Sequence, residues 1–153
     1  MFNVIVDTRE RLPWALSSSQ INEIIYRKLD TGDYSIEGME DILCIERKKS
    51  VAEVSTNITS ERFHKEVERM SKFKHAFLIL EFDIDDVMIF PKGSKIPKNQ
   101  WRKIRTKGPF IRKYLAEIMV KHNIHVLYCG DADNASYEAV SIMRRIKEIY
   151  PDG

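Results

Sequence analysis

Asp33, Glu46 and Lys48 are the residues whose types and spacing could do chemistry. Glu46 follows Asp33 by thirteen positions and Lys48 lies two further on. On a strand, residues two apart point the same way, so Glu46 and Lys48 share a face. Two carboxylates are hard oxygen donors suited to Mg2+ or Mn2+, and an ammonium beside them can orient or help deprotonate an attacking water. That is the minimal kit for hydrolysing a phosphodiester. The same three residues would also make an ordinary ion pair at a strand end in a chain that is 31% charged, so the spacing alone does not choose. Asp7, at the end of the first apolar run, can join them only if the first strands are neighbours in a sheet.

The charge pattern adds a second feature. From Lys92 to Lys113 the chain carries nine basic residues and no acidic one, whereas the remainder has 16 basic against 23 acidic. A cationic segment on an otherwise acidic protein suits phosphate-backbone binding with release of counterions. Lys98, Arg102, Lys103, Arg105 and Lys107 are the expected phosphate contacts. Trp101 and Phe110 are placed to stack on unpaired bases. The competing reading is a solvated loop.

The elements that must position these residues follow from periodicity and punctuation. Asn3 to Val6 reads as a first strand ending at Asp7. Ser17 to Ser19 predicts the cap of a short helix carrying Ile21, Ile24 and Ile25. Strands over Tyr26 to Leu29 and Tyr34 to Ile36 flank Asp30-Thr31-Gly32-Asp33, a turn-rich bend that exposes Asp33. The apolar run Ile42 to Ile45 reads as a central strand that delivers Glu46-Arg47-Lys48 at its end. Ser50 opens a helix with Val51, Val54 and Ile58 inward, and a second helix starts near Glu61 with Phe63, Val67, Met70 and Phe73 inward. Ala76 to Leu80 is a buried strand. Pro91 and Pro97 make a loop of the first half of the basic segment, and Pro109 suits the first turn of a helix through about Lys121. Val126 to Tyr128 is a last strand. Asn134 to Tyr150 is a closing helix with Ala135, Ala139, Ile142, Ile146 and Ile149 inward. The expected fold class is α/β, a central mixed β-sheet with helices on both faces, in a single domain over residues 1–153.

Composition excludes several alternatives. At 43% hydrophobic residues the chain is globular, and no apolar run approaches the ~20 residues of a membrane span. The N-terminus lacks a basic region before its short apolar stretch, so an intracellular setting without a membrane partner is expected. Cys44 and Cys129 are not spaced as a metal pair and read as buried free thiols. His122 and His125 superficially suggest zinc, but they flank an expected turn and no third ligand cluster is near. The acidic run Glu81 to Asp86 could bind Ca2+ or a second Mg2+, though a solvated strand exit is the simpler reading. Asn57-Ile58-Thr59 fits a glycosylation pattern of no consequence in an intracellular chain, and the absence of a Gly-rich phosphate loop speaks against a nucleotide cofactor.

Four ordered motifs resemble the XPF-type nuclease domain, a branch of the restriction-endonuclease-like fold: Val6-Asp7-Thr8-Arg9-Glu10, Gly32-Asp33-Tyr34, Ile45-Glu46-Arg47-Lys48, and Arg62-Phe63 followed by Arg69-Met70. The resemblance implies a divalent-metal-dependent DNA endonuclease using Mg2+, for which Mn2+ substitutes, on branched or flap-type DNA in recombination or repair. It implies that Asp33 and Glu46 ligate the metal and that Asp7 completes or adjoins the acidic site. Lys48 would be the catalytic lysine, and Arg47 would help hold phosphate. Arg9 and Arg62 would contact DNA, and Glu10 would touch metal or support the loop around it. It also implies a homodimer joined through this domain by its C-terminal helices.

The chain departs from that family pattern at identifiable places. Ala52 stands where the family usually has Asp, and Glu53 comes one position later, so Lys49 reads as an insertion that leaves Glu53 in that aspartate's role. Glu66 replaces a common glutamine. Relatives usually add a tandem helix-hairpin-helix module, and nothing follows Gly153, so a stand-alone domain is expected, with the basic segment as its DNA grip and a phage or prokaryotic source. A non-catalytic DNA-binding scaffold and a sequence-specific endonuclease are the alternatives. Retention of Asp33, Glu46 and Lys48 favours catalysis over the scaffold.

Overall fold

The computed structural model describes residues 1–151. Its elements, in chain order, are strands β1 (Phe2–Val6), β2 (Ile21–Tyr26), β3 (Tyr34–Ile36) and β4 (Leu43–Lys48), helices α1 (Val51–Ile58) and α2 (Glu61–Met70), strand β5 (His75–Leu80), helix α3 (Ile84–Ile89), a short 3-10 helix (Lys98–Lys103), helix α4 (Gly108–His122), strand β6 (His125–Tyr128) and helix α5 (Ala132–Ile149). The strands form one mixed sheet in the order β2-β1-β3-β4-β5-β6. Within it β1 runs parallel to β2, β3 runs antiparallel to both β1 and β4, and β4, β5 and β6 are parallel. Among the described residues no helix is long and apolar enough to cross a membrane.

Side-chain alternation assigns each strand two faces, and both are covered. On one face Cys44, Leu78, Leu80 and Val126 pack under α1, α2, α3 and α4 through Val54, Phe63, Val67, Val87, Ile111 and Leu115. On the other, Val4, Val6, Ile36, Ile45 and Ile79 pack against Trp14 and against Ala135, Ala139, Met143 and Ile146 of α5. Helices α1 and α5 start where short polar side chains satisfy free amides. Ser50 accepts from the Glu53 amide at 3.1 Å, and Asp131 accepts from the Asn134 amide at 2.8 Å. Gly108 opens α4 where a Cβ would lie 2.3 Å from the Val87 carbonyl oxygen, so only glycine lets α4 approach the end of α3.

Four expectations need correction. The isoleucines after Ser17 to Ser19 form strand β2, not a helix. Their helical spacing arises because the register with β1 shifts between Phe2 and Asn3. Phe2 pairs with Ile21 and Val4 with Ile24, so a bulge brings residues three apart onto one face. The β-branched run favours strand, and Ser18 makes a turn by accepting from the Gln20 amide at 3.1 Å. Second, the strand predicted over Tyr26 to Leu29 stops at Tyr26. Beyond it, Arg27 donates its amide to the Val6 carbonyl and Leu29 donates to the Asp7 carboxylate.

Third, the acidic run is a solvated exit only in part: Asp83, Asp85 and Asp86 are exposed, whereas Glu81 is half-buried in an ion network described below. Asp83 and Asp86 start α3, with the Asp83 amide donating to Asp86 Oδ2 at 2.8 Å. Fourth, Ile149 is 62% exposed and Met143 takes the inward position, because the buried stripe of α5 drifts around the helix over its length. Cys44 is buried and Cys129 half-buried, and both are free thiols.

Candidate active site

The ends of β1, β3 and β4 meet at a cavity of about 340 Å3 that is also walled by α1 and α2. Asp33 is fixed there by its own backbone. Its amide donates to the Ile45 carbonyl at 2.8 Å, its carbonyl accepts from the Asp7 amide at 2.8 Å, and its carboxylate Oδ2 accepts from the Arg47 amide at 2.8 Å. One residue thus ties β1 to β4 and presents a carboxyl at their junction. Gly32 makes that geometry possible, since it sits at φ +86° and a Cβ there would lie 2.7 Å from Cys44 Sγ.

Glu46 and Lys48 point into the cavity together, as alternation requires, with Lys48 Nζ 3.2 Å from Glu46 Oε2. Lys48 is held from behind by the Phe63 ring of α2, its Nζ 4.6 Å from the ring centroid. Asp33 and Glu46 share a hydrogen bond, and their environment resists two charges. Burial pushes the Asp33 carboxyl up to about 6, with the Glu10 charge adding and the Arg47 amide and Lys48 opposing. Burial raises Glu46 well above the ordinary carboxylate range, reinforced by Asp33 and by Glu66 against the pull of Lys48. Without a cation the two carboxyls resist simultaneous ionisation.

The other predicted acidic groups line the same cavity but have their oxygens engaged elsewhere. Asp7 is 1% exposed. Its Oδ1 accepts from the Leu29 amide at 2.8 Å, and its Oδ2 from Arg9 Nε at 2.7 Å. Burial opposes its ionisation, but these donors outweigh it and hold Asp7 below the usual carboxylate range. Glu10 Oε2 accepts from the Tyr34 hydroxyl at 2.8 Å and from Arg47 Nη1 at 3.1 Å. Glu53 Oε1 accepts from the Lys49 amide at 2.8 Å, so the residue in the position of the family's usual aspartate braces the first turn of α1.

Arg47 requires a correction: it does not face the cavity. As the residue between Glu46 and Lys48 it points through the other face of the sheet. There it pairs with Glu10 and Glu81, donates to the Leu12 carbonyl at 2.6 Å and lies 5.0 Å over the Trp14 ring. Trp14 stacks on Tyr34 with centroids 4.4 Å apart and donates from Nε1 to Glu81 at 2.7 Å. Arg47 is therefore the buried counter-ion that pins the loop after β1, with its donors turned away from any phosphate in the cavity.

Three cavity residues escaped the sequence reading: Glu66, Asn57 and Ser60, the last being the cap of α2. Glu66, weighed there only as a departure from glutamine, lines the cavity and accepts weakly from the Gly32 amide at 3.4 Å. Its spacing four residues after Arg62 puts both on one face of α2, a signal that could have found it. Asn57 of α1 also lines the cavity, and its Oδ1 is buried without a partner among the described residues. Arg9 and Arg62 stand on the rim.

The basic segment is folded against α1. The hydroxyls of Ser55 and Thr106 lie 2.5 Å apart and each lies 3.1 Å from the other residue's carbonyl oxygen, so their two protons serve these three contacts between them. Lys98, Arg102, Lys103, Arg105 and Lys107 are exposed. Trp101 is half-buried and donates from Nε1 to the Ile96 carbonyl at 2.9 Å, so it braces the loop, whereas Phe110 is the exposed ring.

Among the described residues no three His, Cys, Asp or Glu side chains stand ready to hold one ion, the His122 and His125 region included. The donor chemistry nevertheless fits a hard divalent cation. Asp33 and Glu46 are paired buried carboxyls whose ionisation burial opposes, and a cation between them would favour the charged form of both. Asp33 and Glu46 would hold it, with Glu66 a further carboxylate lining the same cavity.

The ERCC4 domain family model matches residues 6–137. The fold is similar to that of the XPF from Aeropyrum pernix, with a TM-score of 0.70 and 20% identity over 95% of this chain and 65% of that one. It is equally similar to the structure of that protein in complex with DNA, with a TM-score of 0.70 and 20% identity over 97% of this chain and 66% of that one. This chain spans about two thirds of the length of those solved chains, 65% in the first. No curated protein matches it.

Proposed function

The chain belongs to the ERCC4 domain family, and on that premise we propose that it is a divalent-metal-dependent DNA endonuclease. The observation that carries the reading is the juxtaposition of the Asp33 and Glu46 carboxyls with Lys48 Nζ, 3.2 Å from Glu46, in a cavity rimmed by arginines.

Asp33 and Glu46 would hold Mg2+, or Mn2+ in its place, which when bound would supply a Lewis acid for the phosphate and lower the pKa of attacking water. The protein's own contributions are positional. The backbone bonds of Asp33 keep its carboxyl fixed between β1 and β4, so little reorganisation accompanies catalysis. Lys48, clamped between Glu46 and Phe63, is aimed into the cavity, where it orients the water and stabilises charge on the phosphate. Arg9 and Arg62 on the rim steady the scissile phosphate. The exposed cations from Lys98 to Lys107 track the backbone beyond it.

The substrate of this reading is branched or flap-type DNA, in recombination or repair, and the active species is a homodimer. The test is to incubate the purified protein with labelled single-stranded, duplex, flap, splayed and four-way DNA in Mg2+, Mn2+ or EDTA, with Glu46→Ala alongside. Metal-dependent cutting that the variant lacks is expected, strongest on a branched substrate. Tight binding without cutting under every condition would instead support a non-catalytic scaffold, and equal cutting by Glu46→Ala would overturn the site.

A further inference from the structure

A second concavity lies on the opposite side of the first turn of α1 from the acidic cavity. It is a groove of about 780 Å3 between that turn, the end of α3 and the loop 90–100. That volume is within the ~300–1,000 Å3 range of pockets that enclose a small ligand. Its floor is apolar, with Phe82 and Phe90 each 4% exposed and Ile96 half-buried. Its rim carries Lys49, Lys92 and Lys95, all exposed and without an ion pair among the described residues, and one carboxylate, Asp86, whose Oδ2 accepts from the Asp83 amide.

The loop that forms it is preorganised. The Lys92 amide donates to the Ile89 carbonyl at 2.9 Å, Ser94 Oγ donates to the Pro91 carbonyl at 2.6 Å, and Trp101 bonds the Ile96 carbonyl. Consecutive residues serve the two concavities. Lys48 faces the acidic cavity and Lys49 the groove, while Ser50 to Ala52 line the groove and Glu53 lines the cavity. The additional lysine after the Glu-x-Lys motif therefore has a place of its own.

We propose that this groove binds one unpaired nucleotide of the DNA substrate, its base toward the apolar floor and its phosphates on Lys49, Lys92 and Lys95. The inference rests on the DNA-nuclease reading above and adds a subsite to it. Three cations against the one carboxylate of Asp86, around an apolar floor, complement a group that is anionic at its edge and flat and apolar at its centre, which describes a nucleotide. A base can reach such a floor only when it is out of the duplex stack, so the site selects an unpaired position. Because one turn of α1 separates groove and cavity, an occupied groove sets which phosphate reaches Asp33 and Glu46.

The test compares the unaltered protein with Lys49→Ala/Lys92→Ala/Lys95→Ala by fluorescence anisotropy in Ca2+. The two probes are a blunt duplex and the same duplex with a single-stranded extension. The variant should lose about ten-fold or more in affinity for the extended DNA, and its log-log salt slope there should fall by about 0.7 per lost phosphate contact. Binding to the blunt duplex should change less than about two-fold. A photo-crosslink from 5-iodouracil in the extension should map to the peptide 82–96.

Equal losses on both DNAs, no loss on the extended one, or crosslinks confined elsewhere would overturn the subsite while leaving the nuclease reading intact. Failure of the unaltered protein to bind either DNA would overturn the nuclease reading itself.

Discussion

The carboxylate of Asp33 accepts the backbone amide of Arg47 at 2.8 Å, while the Asp33 amide donates to Ile45 at 2.8 Å. The bend that presents one acidic group is thereby locked, on both sides of Glu46, to the strand that presents the other. Relative placement of the two carboxyls is a property of the sheet rather than of flexible side chains.

Asp33 therefore has a structural and a chemical role that substitution separates. Asp33→Asn keeps an acceptor for the Arg47 amide, whereas Asp33→Ala leaves it unsatisfied, at a cost of about 1–3 kcal/mol. Both should abolish cleavage. The alanine variant should melt several degrees below the asparagine one by circular dichroism, and coincident melting curves would show that the hydrogen bond contributes nothing.

The raised carboxyls of Asp33 and Glu46 make metal-free stability depend on pH in a defined direction. The Asp33 pKa is about 6 in the fold against an ordinary 3.8, so the folded state binds the proton more tightly than the unfolded chain. The stability this contributes is fully present below about pH 4 and is lost as pH rises through about 6. In EDTA the contribution of this pair to the melting temperature should fall over that interval, and in Glu46→Gln the fall should flatten. Mg2+ should raise the melting temperature more at pH 8 than at pH 5 and release protons measurable in a weakly buffered titration. A metal effect independent of pH would contradict the raised carboxyls.

Arg47 should behave as a core residue. Removing it leaves Glu10 and Glu81 as buried carboxylates without their partner, a loss of about 3–5 kcal/mol for a broken buried pair. Arg47→Ala is expected to lower the melting temperature sharply. Any fraction still folded should bind DNA with the salt slope of the parent. A stable variant with a reduced slope would return Arg47 to the phosphate.

The exposed cations near the 3-10 helix carry a separate expectation. Replacing Arg102, Lys103 and Arg105 together by alanine should weaken binding to every DNA form and lower the log-log salt slope by up to about 0.9 per lost duplex contact. An unchanged slope would mean that these residues are only solvated.

Sequence and structure agree most closely where the governing physics is local. Alternation along a single strand is enough to bring Glu46 and Lys48 together, and the bend at Gly32-Asp33 is written in its residues. Arg47 was misplaced although the same alternation points it away, because its partners Glu81 and Glu10 lie 34 and 37 positions distant and only the sheet brings them near. The β2 isoleucines looked helical because a register shift against β1 mimics a helical spacing, and pairing partners are invisible to a periodicity argument. The groove beside α1 joins Lys49 to a loop some forty residues on, a closure that charge counting alone could not reveal.

The central claim is that Asp33, Glu46 and Lys48 form one metal-dependent hydrolytic site, and Glu46→Gln tests it most directly because the side chain keeps its shape and loses only its charge. Single-turnover cleavage of one labelled flap substrate in Mg2+ should be undetectable in this variant. It should still bind the flap in Ca2+ with the affinity of the parent, and its melting temperature should no longer respond to Mg2+. Cleavage by Glu46→Gln at the parental rate, with the metal response preserved, would contradict the account.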